Sequence, residues 1–96
     1  MELGIIGEFH ARPGNEAALE AAIARVIPQS RREATCLGIR AYRSNRDGAM
    51  FFIHSRWTDE AAFEAHARLP HTVEFLATVA PLLTHDVEVA RLTQIA

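Results

Sequence analysis

Cysteine is almost absent from this sequence: Cys36 is the only one, so no disulfide can form within the chain. A chain without disulfides is typical of a reducing compartment. No charged-then-apolar leader opens the chain, and no apolar run approaches the length of a membrane span. The formal net charge of −2 gives no field that would gather nucleic acid or anionic lipid. We therefore expect a cytoplasmic protein that binds neither nucleic acid nor a membrane.

The common catalytic and metal-binding motifs are also missing. There is no nucleophile elbow, phosphate loop, dinucleotide fingerprint or haem-attachment motif. His66 and His71 are separated by a proline, and no acidic or cysteine ligand lies beside them at a helical interval, so no metal site is expected. Cys36 has no basic pair near it in sequence, and we interpret it as a small hydrophobic residue rather than a nucleophile.

The residues that are present are those of a small globular protein. Of the 96 residues, 49% are hydrophobic and 23% are charged. A chain of this length and composition can build one modest core. We expect residues 1–96 to form a single domain.

Hydrophobic periodicity predicts four strands and two helical regions. The strands are predicted at Leu3–Ala11, Leu37–Ser44, Met50–Trp57 and Thr84–Ile95. One helix is expected from Glu16 onward, and the second helical region follows Thr58 and is divided at Pro70. The order β-α-β-β-α-β is the ferredoxin-like pattern of the α+β class, with an antiparallel sheet.

Four finer expectations accompany this pattern. Pro28 should kink or interrupt the first helix, because it removes a donor and clashes one turn back. Thr58 should cap the helix that follows Trp57. The region from His71 to Leu83 has apolar residues at helical spacing, namely Val73, Leu76, Ala77 and Ala80. The last strand has apolar residues on both faces, which suggests a bulge.

The third strand is apolar on both faces at its start, since Met50 and Phe52 oppose Phe51 and Ile53. The helical regions can cover only one face of the sheet. The other face then needs a partner subunit, a ligand or both, and we expect a homodimer.

The stretch from Ala49 to His71 resembles the antibiotic biosynthesis monooxygenase (ABM) family. An aromatic-rich strand ends in Trp, an acidic cap follows, and a helix closes on His-x4-His; the matching residues are Trp57, Asp59, Phe63, His66, Pro70 and His71. Upstream, Arg12-Pro13-Gly14 and the segment 34–38 fit the same family. One departure is Ser55, which stands where family members often have Glu.

The resemblance implies a dimeric α/β barrel in which two sheets form a shared barrel. It also implies oxidation of a phenol or hydroquinone-type compound by dioxygen without a cofactor, in a pocket that excludes bulk water. Such a reaction needs a base to remove a substrate proton and donors to stabilise the resulting anion. Partners other than a second copy and a small apolar or aromatic molecule are not expected.

Two histidines are candidates for the base. His66 lies on the apolar stripe of its helix and could face the sheet as a proton acceptor, or could be a core imidazole satisfied by a backbone partner. His54 lies in mid-strand, where a structural or rim role competes with catalysis.

The candidate substrate-binding residues are Arg40, Tyr42, Phe52, Trp57, His71 and Phe75. Arg40 or Tyr42 could hold a phenolate oxygen, and the aromatic residues could supply apolar walls. Core packing explains the aromatic residues as well, and His71 could instead cap a helix.

Three functions stay open. The leading one is a cofactor-independent monooxygenase, an oxidoreductase acting on a small aromatic or quinol-like compound. The second is an isomerase of a small oxygenated, possibly phosphorylated metabolite, because one branch of the family acts on a phosphorylated autoinducer. The third is a non-catalytic dimer that binds a small apolar molecule. Charge lining the pocket separates the first two, because a phosphate needs several basic groups.

Overall fold

The computed structural model describes residues 1–96. The elements in chain order are β1 (Leu3–His10), α1 (Glu16–Arg31), β2 (Cys36–Arg43), β3 (Met50–Trp57), α2 (Glu60–Ala67), α3 (Pro70–Val79), a short 3-10 helix (Ala80–Leu82) and β4 (Glu88–Leu92). The predicted α+β, ferredoxin-like order is confirmed. None of the helices is long and apolar enough to cross a membrane.

The four strands form one antiparallel sheet in the order β2-β3-β1-β4. The central pair is in continuous register from Leu3 opposite Trp57 to His10 opposite Met50. The one irregularity in the ladders is a register shift in β2 between Cys36 and Gly38. The sheet therefore fixes which side chains share a face along its whole width.

Helices pack on only one side of the sheet. We call this side the covered face; its central residues include Ile5, Phe9, Phe51 and Trp57, all of which are buried. The opposite side, the open face, has no element over it. By register its residues include Gly4, Ile6 and Glu8 of β1, Arg40 and Tyr42 of β2, Phe52, His54 and Arg56 of β3, and Ala90 and Leu92 of β4.

The hydrophobic core lies between the covered face and the helices. Its larger cluster joins residues of β1 and β3 to α1 and α3, with Leu19, Ile23 and Val26 contributed by α1. A smaller cluster of Leu3, Ile5, Trp57 and Ala62 lies under α2. A T-shaped contact between Phe9 and Phe75, with ring centroids 5.8 Å apart, joins the sheet to α3.

Pro28 does not interrupt α1, which runs without a break to Arg31. The interruption does not occur because Pro28 lies in the last turn and on the exposed side, as does Ala24 one turn back. The carbonyl that loses its hydrogen bond there can bind water instead. As a result the buried stripe of α1 continues past Pro28 to Ser30.

The cap of α2 is Asp59, and the prediction of Thr58 is wrong. The Asp59 carboxylate accepts a hydrogen bond of 2.8 Å from the backbone N–H of Ala62. The backbone N–H of Thr58 still donates to the carbonyl of Thr35, so Thr58 continues the strand pairing. Asp59 is therefore the first residue whose side chain can reach the free N–H groups of the helix.

The buried stripe of α3 consists of Thr72, Phe75 and Val79. Val73 and Leu76, which the apolar spacing singled out, are 54% and 42% exposed. This helix has apolar residues on two sides, and its packing against α1 decides which side is buried.

The last strand covers only Glu88–Leu92 and not Thr84–Ile95 as predicted. Its pairing with β1 is regular, so the bulge suggested for it is absent. All five of its residues are exposed. The apolar residues on its two faces reflect its position at the sheet edge, with one side toward the helices and the other on the open face.

Candidate functional site

A cavity of about 140 Å³ lies between the covered face and the helices. Its lining is mostly apolar, and its polar members are Ser30, Ser55, His66 and Thr72. The other lining residues are Ile5, Gly7, Phe9, Val26, Ile39, Ile53, Phe63, Ala67, Phe75, Leu76, Val87 and Val89. None of the lining residues is an arginine, an aspartate or a glutamate, so the cavity suits an uncharged molecule. The exposed lining residues Ala67, Leu76 and Val89 mark its opening.

His66 brings a titratable group to this cavity. It lies in the last turn of α2, and its ring packs on the indole of Trp57 with centroids 4.3 Å apart. The Nδ1 atom is 2.7 Å from Oε2 of Glu33, so Nδ1–H is the donor and the carboxylate accepts. Nε2 has no partner within the chain. Since every fully enclosed side-chain nitrogen and oxygen is hydrogen-bonded, Nε2 is open to its surroundings. The imidazole therefore has one ring nitrogen held by Glu33 and one that a ligand can reach.

Glu33 holds both histidines of the His-x4-His motif. The same Oε2 atom that accepts from His66 lies 2.8 Å from Nε2 of His71. The side chains of Glu33, His66 and His71 are 11%, 12% and 21% exposed. This cluster ties the end of α1 to α2 and α3, and it fixes the tautomer of both rings.

Two histidines and a carboxylate are also a donor set that zinc or non-haem iron can use, and the three donor atoms lie within 4.8 Å of one another. The sequence argument against a metal site overlooked Glu33, which is 33 residues before His66. The O–N separations of 2.7 and 2.8 Å are nevertheless those of hydrogen bonds. Ligands about 2.0–2.1 Å from one tetrahedral metal lie further apart than this. We therefore describe the group as a hydrogen-bonded cluster.

His71 does not cap α3, so the capping interpretation is wrong. The N-cap residue is Leu69, which makes no side-chain cap hydrogen bond, and Pro70 occupies the first turn. Because Pro70 has no N–H, one of the free donors that a cap would satisfy is missing. His71 also lies outside the cavity, beside a crevice of about 50 Å³ between α1 and α3.

Ser55 has a structural partner that explains its presence on the covered face. The indole N–H of Trp57 donates to Ser55 Oγ at 2.9 Å, and both residues are buried. Alternation along β3 places residues two apart on the same face, so a short hydroxyl side chain reaches the indole directly. Ser55 therefore supplies a neutral acceptor for a buried donor.

Cys36 begins β2 and is partly buried against the core. Burial raises the pKa of its thiol, and nearby Glu33 adds to the effect. A raised pKa lowers the thiolate fraction. This agrees with the interpretation of Cys36 as a small hydrophobic residue.

The predicted site residues fall on two sides of the sheet. His66 and Phe75 line the cavity, and Trp57 packs directly behind His66. Phe52, Tyr42 and His54 form a shallow depression on the open face together with Ile6. Arg40 lies on the same face, opposite His54. The structure therefore separates His54, Arg40, Tyr42 and Phe52 from the cavity by the thickness of the sheet.

Sequence reasoning missed Ser30, Glu33 and Thr72. Ser30 continues the helical spacing of Ile23, Val26 and Ile27, and an uninterrupted α1 would have revealed it. Thr72 continues the spacing of Phe75 and Val79. No local pattern points to Glu33, since its contacts are to residues 33 and 38 positions away.

Comparison with known proteins assigns the chain to a family. Residues 3–78 match the family model for antibiotic biosynthesis monooxygenase. The chain belongs to the antibiotic biosynthesis monooxygenase family.

Individual relatives have the same fold. A protein of Mycobacterium tuberculosis (strain ATCC 25618 / H37Rv) named "Putative monooxygenase Rv0793" is 31% identical over 87 residues, which are 91% of this chain and 85% of the relative. The solved structure of Rv0793 superposes with a TM-score of 0.94 at 28% identity, over 100% of this chain and 97% of that one. The structure of PA3566 from Pseudomonas aeruginosa gives 0.92 at 30% identity, covering 99% and 95%.

A more distant neighbour is a variant of SnoaB, described as a cofactor-independent oxygenase from Streptomyces nogalater. It superposes with a TM-score of 0.84 at 20% identity, over 97% of this chain and 92% of that one. At this identity the likeness concerns the fold alone.

Proposed function

We propose that this protein is a cofactor-independent monooxygenase that oxidises a small phenol or quinol-like compound with dioxygen. One observation supports this above all: His66 lines an apolar cavity and its Nε2 has no partner in the chain, while Glu33 holds its Nδ1. A fixed imidazole beside an apolar binding space is what removal of a phenolic proton requires. The family membership and the name of the Rv0793 relative agree with this proposal.

In the proposed reaction, one phenol and one dioxygen give one para-quinone and one water. His66 Nε2 accepts the phenolic proton, and the electron-rich anion forms a C–O bond with dioxygen at a ring carbon. His66 returns its proton to the peroxide, then accepts the C–H proton as the carbonyl forms and the O–O bond breaks. The released hydroxide takes that proton and leaves as water. All four electrons that reduce dioxygen come from the substrate, so the balance needs no further reductant.

Glu33 has a positioning role in this proposal. Its carboxylate accepts from Nδ1–H of His66, so the lone pair stays on Nε2. When Nε2 gains a proton, the positive ring lies 2.7 Å from a negative oxygen, which stabilises the charged state. The contact of His71 with the same oxygen keeps the carboxylate in place.

The cavity favours this function over an isomerase of a phosphorylated metabolite. A phosphate group carries about −1.5 to −2 charges at neutral pH, and no arginine lines the cavity to receive it. The residues Arg40 and Arg56 that could bind a phosphate lie on the open face. An uncharged aromatic ring and dioxygen both suit the apolar lining.

The open face supports the further proposal that the protein is a homodimer. Its two central strands, β1 and β3, present Ile6 and Phe52 without any covering element. An obligate interface of this kind commonly buries about 2,000 Å² or more. We expect light scattering at micromolar concentration to give the mass of a dimer, and a stable folded monomer would contradict the proposal.

The test of the proposed activity compares two histidines on opposite faces of the sheet. Dioxygen uptake with benzene-1,4-diol and with phenol is measured for the wild type, His66→Ala and His54→Ala, and the product is analysed for an oxygen atom from ¹⁸O₂. We expect His66→Ala to lower turnover about 10²–10⁴-fold, with turnover of His54→Ala unchanged. Equal turnover in the wild type and His66→Ala would overturn the role of His66. Ligand binding without any dioxygen uptake would instead indicate a binding protein.

A further inference from the structure

His71 is the member of the Glu33 cluster that lies on the solvent side of the helices. Its side chain is 21% exposed and lines the crevice of about 50 Å³ between α1 and α3. His66, by contrast, lines the cavity between the sheet and the helices. Glu33 lies between the two rings and lines neither space. The cluster therefore connects the cavity to the outer surface of the helical layer.

The backbone fixes the positions of the two rings. His66 lies in the last turn of α2, and His71 is the second residue of α3 after Pro70. The connection between the helices is tight, since the backbone N–H of Leu69 donates to the carbonyl of His66 at 3.2 Å. As a result the two ring centroids lie 6.2 Å apart.

A single carboxylate oxygen serves both rings. Oε2 of Glu33 lies 2.7 Å from Nδ1 of His66 and 2.8 Å from Nε2 of His71. A positively charged ring forms a charge-assisted hydrogen bond with this oxygen. A second positive ring would meet a negative charge that is already compensated, and a like charge beside it. The two rings therefore compete for one negative charge, and the cluster can hold one imidazolium at a time.

Other charged groups nearby do not supply a second negative charge to the rings. Arg25 and Glu74 line the crevice with His71 and have opposite signs. Arg31 donates to the carbonyl of Ile39. The thiol of Cys36, which lies near Glu33, stays neutral because burial raises its pKa. The ion pairs of Glu33 are those with the two histidines, so its charge decides which ring is stabilised as a cation.

Substrate binding leaves one ring nitrogen of the cluster for a proton from solvent. In the proposed function the substrate hydroxyl occupies Nε2 of His66, and Glu33 holds Nδ1 of the same ring. Nε2 of His71 is also held by Glu33, whereas Nδ1 of His71 has no partner within the chain. A carboxylate ordinarily takes up a proton only at lower pH than an imidazole. The remaining acceptor is therefore Nδ1 of His71.

We propose that His71 is a positioning residue that acts through Glu33 and switches off the base His66 while the substrate is bound. This inference rests on the proposed function for the role of His66. In acid, Nδ1 of His71 takes a proton from solvent, and the positive ring of His71 engages the charge of Glu33. The imidazolium that His66 must form on deprotonating the phenol then loses its stabilising partner. Turnover therefore responds to the pH of the solvent through the crevice, even when the substrate occupies the cavity.

The kinetic test compares the wild type with His71→Gln. The glutamine amide can donate to Glu33 but takes up no proton in this range. Dioxygen uptake with benzene-1,4-diol is measured from about pH 8 to about pH 5, on either side of the ordinary imidazole value of about 6.5. We expect kcat of the wild type to fall about 10-fold in acid, as loss of one opposite charge implies, and kcat of His71→Gln to stay nearly constant. The value of kcat/KM should fall in both, because Nε2 of His66 takes up a proton in the free enzyme.

The control is His85→Gln, which removes an exposed histidine that lies outside the cluster. Its kcat should fall in acid as that of the wild type does. Glu33→Gln is the second variant if His71→Gln does not fold, because it removes the charge for which the rings compete. Its kcat should be low throughout and should not fall further in acid. An equal loss of kcat in acid in the wild type and in His71→Gln, or a persisting acid loss in Glu33→Gln, would overturn the role of His71.

A second measurement is independent of turnover. The ¹⁵N resonances of the histidine ring nitrogens report the charge of each ring, and they are followed over the same pH range in the ligand-free protein. We expect one charged ring in total for His66 and His71 of the wild type. Full charging of both rings over this range, or of neither, would overturn the competition for Glu33. A single charged ring without any dioxygen uptake would instead confirm the competition and refute the proposed function.

Discussion

The two faces of β3 differ in burial, although both carry aromatic side chains. On the covered face, Phe51, Ser55 and Trp57 are buried, and each contributes to the core or to a buried hydrogen bond. On the open face, Phe52 and His54 alternate with them but lie uncovered by any helix. The two faces share one backbone, so the difference comes wholly from what packs against them. The role of an aromatic or histidine residue on a strand can therefore be assigned only when the covering elements are known.

The largest expected effect on stability comes from replacing two adjacent phenylalanines, one on each face. Phe51 is 2% exposed on the covered face, and Phe52 is half-buried on the open face. We expect Phe51→Ala to lower the free energy of unfolding by about 3–5 kcal/mol, because it leaves a cavity in the core. Phe52→Ala should cost less in unfolding and should instead weaken self-association.

Denaturant unfolding and sedimentation velocity at matched protein concentrations separate these two effects, since association itself adds to apparent stability. If Phe52→Ala destabilised the chain as much as Phe51→Ala without changing its association, the division into covered and open faces would fail.

A smaller effect on stability is expected when a single hydroxyl group is removed from either face. Ser55→Ala leaves the indole N–H of Trp57 buried without an acceptor, which should cost about 1–3 kcal/mol. Ser55→Thr keeps the acceptor and is the control. On the open face, Tyr42 is 49% exposed, so Tyr42→Phe should change stability by less than about 0.5 kcal/mol. Urea midpoints for the three variants measure the contrast, and a loss in Tyr42→Phe equal to that in Ser55→Ala would contradict it.

The smallest effect concerns an ion pair on the open face. Arg56 donates to both carboxylate oxygens of Glu2, at 2.8 and 3.3 Å. This hydrogen bond and the positive charge of Arg56 hold the pKa of Glu2 below its ordinary value of 4.5. A lowered folded-state pKa means that the pair stabilises the fold above pH 4.5 and that this contribution is lost as the pH falls through the folded-state pKa.

The difference in melting temperature between the wild type and Glu2→Gln should therefore be small and constant near neutral pH, and should vanish in acid. Added salt should reduce it, because both side chains are in contact with solvent, at 47% and 41% exposure for Arg56 and Glu2. A difference that grows on acidification would show that the sign is wrong.

The order of the elements was predictable because the residue types and spacing within each segment are local signals. Met50–Trp57 was predicted with the bounds that the structure has. The buried face of α3 was not predictable in this way, since Val73 and Leu76 are as apolar as Phe75 and Val79. Only the packing of α3 against α1 distinguishes the two sides.

The candidate site was predictable in part for a similar reason. His66 lies on an apolar stripe and was identified locally. Glu33 contacts it from a distant turn, and this contact depends on where α1 ends. The expectation that Pro28 would kink or interrupt α1 left Ser30, which follows Pro28, off the predicted buried stripe. Glu33 was missed for a different reason, because its contacts are distant in sequence.

Trp57 is the only tryptophan in the chain, and its indole lies against His66 with ring centroids 4.3 Å apart. Because a protonated imidazole accepts an electron from an excited indole, the fluorescence of this single residue should fall when His66 gains a proton. The emission would then report the charge of the residue that we propose as the base, without a label and without a substrate. The contact between Trp57 and His66 thus supplies an intrinsic optical probe of the site.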